Sequence, residues 1–270
     1  MSAHDEPLAI SEAELRRHTR GLEEAHRATL PVLDEALAEW SEDDLRVEED
    51  DDHLTALRPS RRGFLFGTGA LFGGVALGLH QGLVSVASAA AAPTSAAAPK
   101  YTGDLAVVAL AASLENLAVA TYGAALDAAQ AGKLGTVPPA IGEFVTVARD
   151  QHRDHASAWN AVLAKAGKKK VTGVDLTVKN AVVDPAFAAV SDVGGAANLA
   201  LELENSAAAT YLSAIGAVKS KGGIKTAATI QPVEMQHAAI LNFVLGQYPV
   251  PMTFASTDGA RPLSDKIAAA

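Results

Sequence analysis

Six residues carry the chemistry open to this chain: Glu115, His152, His155, Glu204, Glu234 and His237. All are carboxylates or imidazoles. Those are hard and borderline donors that suit iron or manganese and accept zinc. Two of the histidines lie three apart in His152-Arg153-Asp154-His155, and Glu234 lies three before His237. On a helix, positions three apart share one face. Taken alone, either pair reads as a metal half-site or as an ordinary surface pair.

An internal repeat lifts the pairs above that ambiguity. Residues 110–122, LAASLENLAVATY, resemble residues 199–211, LALELENSAAATY, at an offset of 89 (204 − 115). The repeat puts Glu115 and Glu204 at equivalent positions in Ala- and Leu-rich surroundings. A carboxylate on a core face is costly unless it is paired or holds a metal. The other reading of these glutamates is an interhelical hydrogen bond to Tyr or Asn. A weaker match aligns His155-Ala-Ser-Ala-Trp-Asn-Ala-Val-Leu with His237-Ala-Ala-Ile-Leu-Asn-Phe-Val-Leu. It pairs His155 with His237 and sets His152 where the second copy has Glu234. Asp150 and Asp154 project off the His155 face. Tyr122 and Tyr211 each follow their glutamate by seven residues, nearly on its face. Hydrogen bonding to the carboxylates, redox service and plain core packing are all open to them. Trp159 reads as core, and Lys168–Lys170 as a solvated turn.

Four helices must position these residues. The first is expected over 102–131, ending at Gly132. The second starts at Pro138-Pro139, a pair suited to a helix start, and ends near Gly167. The third runs over 193–220 and the fourth over 224–247, stopped by Pro249. Pro232 falls inside the fourth, where it deletes a backbone hydrogen bond beside Glu234. Short connections make each pair an antiparallel hairpin. The middle connection, 168–192, is long enough to return along the bundle. A tail follows over 249–270. The chain has no cysteine, so thiolate sites and disulfides are excluded. Abundant alanine and sparse aromatics favour packed helices.

The net charge of −9 is uneven. Residues 1–62 hold 8 Lys+Arg and 17 Asp+Glu, 8 − 17 = −9. Residues 100–270 hold 14 of each, a balance of zero. The second half therefore carries no footprint for nucleic acid. Residues 1–58 read as an acidic leader, partly helical or disordered, with Leu8, Leu15 and Leu22 at heptad spacing. Its helix is either marginal or docks on a partner. Residues 59–92 follow with Arg61-Arg62, an apolar run from Phe64 to Leu79 and small residues beyond, and residues 93–101 read as a linker. The order of charged, apolar and small residues is that of a signal segment, and the apolar run is short for a stable span. Ser60-Arg61-Arg62-Gly63-Phe64-Leu65 resembles the twin-arginine export signal at every fixed position. That resemblance implies the twin-arginine machinery as a partner and export across the cytoplasmic membrane to periplasm, cell wall or medium. The membrane is touched only through this segment, with anchoring if it is not cleaved.

Two antiparallel hairpins joined by one long crossover, with a glutamate on each of two helices, Glu-x-x-His on the fourth and a histidine matching its His on the second, resemble the ferritin-like superfamily. The resemblance covers residues 102–248 and implies an all-α four-helix bundle. It implies a metal site of Glu115, His155, Glu204, Glu234 and His237, with one or two ions and oxidase-, peroxidase- or catalase-type chemistry. His152 departs from the pattern, standing where a bridging glutamate is expected. A neutral imidazole does not bridge two cations as a carboxylate does, and cations in one site need that negative charge between them. The departure keeps a second class open: a non-enzymatic ferritin-like envelope or desiccation-related protein with a degenerate site. A homo-oligomer is compatible with either.

Overall fold

The structure is a computed structural model that describes residues 10–45 and 101–263. The export segment expected at 59–92, most of the linker and the start of the leader lie outside the described residues.

Four long helices form the body: α3 (Gly103–Gln130), α4 (Pro139–Lys165), α7 (Val193–Ala217) and α8 (Lys221–Val244). α3 packs closely on α4, and α7 on α8, so each pair is a hairpin. The crossover between the hairpins contains the short α5 (Leu176–Val178), a π-helical turn over Lys179–Val183 and α6 (Asp184–Ala188). The fold is thus all-α and ferritin-like in layout. The N-terminal segment adds a long helix, α1 (Glu12–Ala38), and a single turn, α2 (Glu42–Leu45).

Local chemistry explains the ends. Gly132 takes φ 71°, the left-handed conformation open to glycine, and Lys133 N–H reaches back to the Ala128 carbonyl at 2.9 Å. That closes α3 in a Schellman turn. α4 has Pro139 in its first turn. Asp192 and Ser220 cap α7 and α8 by accepting from Gly195 N–H at 2.7 Å and Gly223 N–H at 3.1 Å. α8 passes through Pro232 without a break in its helical run.

Asn116 and Asn160 pin the crossover, and both donate to the Val171 carbonyl, at 3.0 and 2.9 Å. Further on, Arg261 of the C-terminal segment reaches Asp175 at 3.3 Å, tying tail to crossover.

α1 lies in the groove between α4 and α8. A capping box opens it: Glu14 N–H donates to Ser11 Oγ while Ser11 N–H donates to Glu14, both at 3.3 Å. Ile10, Leu15 and Leu22 are buried in the core at that end, together with Phe144 and Leu241. Trp40, just past the helix, is 1% exposed. It sits on Gly222, where a Cβ would lie 2.6 Å from the indole Cδ1. Lys165 Nζ donates to the Trp40 carbonyl at 2.6 Å, and Lys225 pairs with Glu35 and Glu39. The helical part of the acidic leader is therefore a fifth helix of the body.

Candidate metal centre

All six candidate residues converge in one buried cluster halfway along the bundle, each 3% exposed or less. α3 supplies Glu115, α4 supplies His152 and His155, α7 supplies Glu204, and α8 supplies Glu234 and His237. Their donor atoms form two overlapping sets. Glu115, His152, His155 and Glu234 make one, and His152, Glu204, Glu234 and His237 the other, with the chosen atoms of each set within 4.8 Å of one another. Glu234 and His152 belong to both.

His152 spans the cluster. Its Nδ1 lies 2.8 Å from Glu115 Oε2 and its Nε2 lies 3.1 Å from Glu204 Oε1. His237 Nδ1 lies 3.3 Å from Glu204 Oε2 and 3.4 Å from Glu234 Oε2. His155 Nδ1 approaches Glu234 Oε1 at 3.0 Å. That contact lacks hydrogen-bond alignment: His155 Nδ1 and both Glu234 oxygens are buried without a hydrogen-bond partner. Orphaned buried polar atoms are rare, and here Glu234 Oε1 faces His155 Nδ1 while Glu234 Oε2 lies 3.4 Å from His237 Nδ1. Cation binding in the two donor sets would satisfy all three atoms, so the residues present fit a metal.

The tyrosines complete the set in a crossed pattern. Tyr122 of α3 donates to Glu204 of α7, and Tyr211 of α7 donates to Glu115 of α3. Trp159 Nε1–H donates to the Tyr211 hydroxyl at 2.9 Å, whereas Tyr122 stacks on His152 with ring centroids 5.5 Å apart. The Trp159 contact was not evident in the sequence, where the residue read as plain core.

The electrostatics follow from packing three carboxylates with three imidazoles out of water. Burial pushes Glu115 up, but His155 and His152 outweigh it and hold it down to about 2. Burial opposes the ionisation of Glu204 too, and His152 and His237 hold it well below the ordinary carboxylate range. His155 rises to about 9 against burial because Glu115 and Glu234 face it. His152 and His237 also rise, against burial, through their glutamate neighbours. Both tyrosines are pushed well up, first by burial and then by Glu204 or Glu115. Without metal, the raised imidazoles and the lowered carboxylates of Glu115 and Glu204 favour ion pairs inside the cluster.

Gln151 is the residue that sequence reasoning missed. It is 2% exposed, its Nε2 donates to the Leu22 carbonyl of α1 at 3.4 Å, and its Oε1 lies 2.9 Å from His237 Nε2. The amide thus links the leader helix to His237 and keeps a proton on Nε2, leaving Nδ1 for the cluster. Its place four residues before His155, on the same face, was the available signal. His26 of α1 closes the same side, 3.0 Å from Asp154 Oδ2 and with its ring 6.2 Å from the His155 ring. Asp150 turns outward to Arg149 and Arg153, clear of the cluster.

Comparison with known families matches residues 103–247 to the ferritin-like domain, which is more than half of the chain. Comparisons with curated proteins and with solved structures return no match.

Proposed function

The chain belongs to the ferritin-like domain family, and on that premise we propose that it is an exported protein binding one or two transition-metal ions in the bundle core. Iron or manganese suits the O/N donor set best, with zinc tolerated. The observation that carries this reading is the buried trio of unpartnered atoms, His155 Nδ1 and the two Glu234 oxygens, inside two overlapping donor sets. Twin-arginine export rests on the Ser60–Leu65 motif and is part of the proposal.

Glu115, Glu204 and Glu234 supply three negative charges, and His155 and His237 one neutral nitrogen each. His152 can give one nitrogen to one side while its other N–H donates to the glutamate across the cluster. One donor set then has four ligands and the other three, so the two positions differ in affinity. A bound iron or manganese ion would supply one-electron chemistry toward O₂ or peroxide. Tyr122 and Tyr211 donate hydrogen bonds to Glu204 and Glu115 and fix the orientation of each carboxylate. Gln151 holds the tautomer of His237, and α1 excludes water from that side.

A second reading is favoured by the ion pairs of the metal-free cluster, in which His152 and His237 contact Glu115 and Glu204 directly. It makes the chain a non-enzymatic envelope protein. Metal analysis of the purified chain separates the two. The metal reading predicts near-stoichiometric iron or manganese, its loss in Glu115→Ala/Glu204→Ala, and a melting midpoint that falls with chelator. A chain free of metal, with a midpoint indifferent to chelator, overturns it.

A further inference from the structure

The two sides of the bundle are covered differently. α1 fills the groove between α4 and α8, while α3 and α7 on the opposite side touch one another only sparsely. The crossover and the C-terminal segment cover that groove in part, through Val178, Phe187 and Leu263. A cavity of about 150 Å³ remains. Apolar cavities of this size stay dry and take up apolar ligands.

Its shape and lining define the ligand. Lining residues run from Val107 to Ala129 on α3 and from Val193 to Ala214 on α7. At 1.5 Å per helical residue that is a length of about 33 Å. So small a volume drawn out over that length admits a single chain rather than a fused ring system. The walls are apolar, with half-buried Leu114, Ala118, Leu126, Leu203 and Ala207 among them. The polar groups that reach the cavity are spent elsewhere. Thr121 donates to the Leu117 carbonyl, Thr210 to that of Ser206, and Ser206 to that of Gly259. The tyrosines donate to Glu204 and Glu115. α3 is also more apolar than its packing uses: its most apolar eighteen-residue window has a mean hydropathy of 1.6, yet 56% of it is buried.

We propose that the α3–α7 cleft is a binding site for an unbranched hydrocarbon chain, the alkyl or acyl chain of an amphiphile. The chain lies along the cleft and its middle passes Glu115, Glu204 and His152, while its polar head stays in water. Chain binding rests on the cleft alone. That the chain is a substrate of the metal centre rests on the function proposed above.

The test uses the full chain and cis-parinarate, a fluorescent fatty acid, displaced by octanol, decanol and dodecanol below their aqueous solubility limits. Each sequestered methylene should tighten binding about fourfold until the cleft is full. Ala118→Leu/Ala207→Leu, which fills the cleft, should weaken binding at least tenfold with helical circular dichroism unchanged. Ala161→Leu, on the exposed face of α4, should leave it unaltered. If the double variant melts out, Ala125→Leu carries the same test. No chain-length dependence, or undiminished binding in the filled variants, overturns the proposal. Metal content measured on the same samples separates the two claims. Metal without chain binding sinks only this one, and chain binding without metal sinks only the metal reading.

Discussion

Tyr122 gives its hydroxyl proton to Glu204, the glutamate of the opposite hairpin, and not to Glu115 seven residues before it on its own helix. Tyr211 returns the exchange to Glu115. The crossed pair ties the two hairpins through their buried carboxylates where α3 and α7 otherwise meet little. Tyr122→Phe and Tyr211→Phe should each destabilise the metal-free protein by about 1.5–3 kcal/mol, the range for a hydrogen bond to a charged group. Tyr211→Phe should cost more, because it also strands the Trp159 N–H. Urea unfolding of the two variants provides the comparison.

The metal-free cluster makes stability depend on pH from both sides. Glu115 is depressed to about 2, so its contribution is present above the unfolded carboxylate value of about 4.3 and is lost as pH falls toward 2. His155 is raised to about 9, so its contribution is complete below the unfolded value of about 6.5 and is lost as pH rises through 9. The cluster should stabilise most between about pH 4.3 and 6.5. Metal-loaded protein, whose imidazoles are already neutral, should lose the alkaline decline. Thermal melts across pH, with and without metal, show whether it does. Uptake of metal should also release protons, detectable as a buffer-dependent heat in calorimetry.

Gln151 lets the leader helix act on the centre. Gln151→Leu removes the acceptor that holds the His237 Nε2 proton and should weaken metal binding about 10–100-fold, the usual cost of losing a ligand's supporting hydrogen bond. Deleting residues 1–45 removes the Leu22 carbonyl and uncovers the α4–α8 face. It should speed metal loss to a chelator beyond the effect of Gln151→Leu alone. Equal rates in both variants would show that α1 is not a cover.

His152→Glu should restore a carboxylate between the two donor sets. It raises the negative charge of the cluster from three to four carboxylates and should increase bound metal toward two ions per chain. Without metal the same change leaves four carboxylates against two imidazoles and should lower stability. Metal titration and melting of the one variant thus move in opposite directions.

The helices and the residues of the buried cluster were legible in the sequence for local reasons. Gly132 ends α3 through its left-handed φ, and the Leu-Glu-Asn…Ala-Thr-Tyr repeat placed Glu115 and Glu204 at matching depths. The partner of each tyrosine was not legible, because spacing along one helix cannot tell which neighbouring helix lies opposite. Gln151 was hidden for a related reason: its role depends on Leu22, 129 residues away in the chain. The packing of α1 turns on Trp40 meeting Gly222, a contact that no periodicity within either segment encodes.

The central claim is that Glu115, His152, His155, Glu204, Glu234 and His237 hold a metal together. X-ray absorption at the edge of the metal in purified protein reads that ligand set directly. The account predicts a shell of oxygen and nitrogen donors with outer-shell scattering from imidazole, abolished in Glu234→Ala/His237→Ala. An all-oxygen shell like that of the hydrated ion, or no metal to measure, would contradict it.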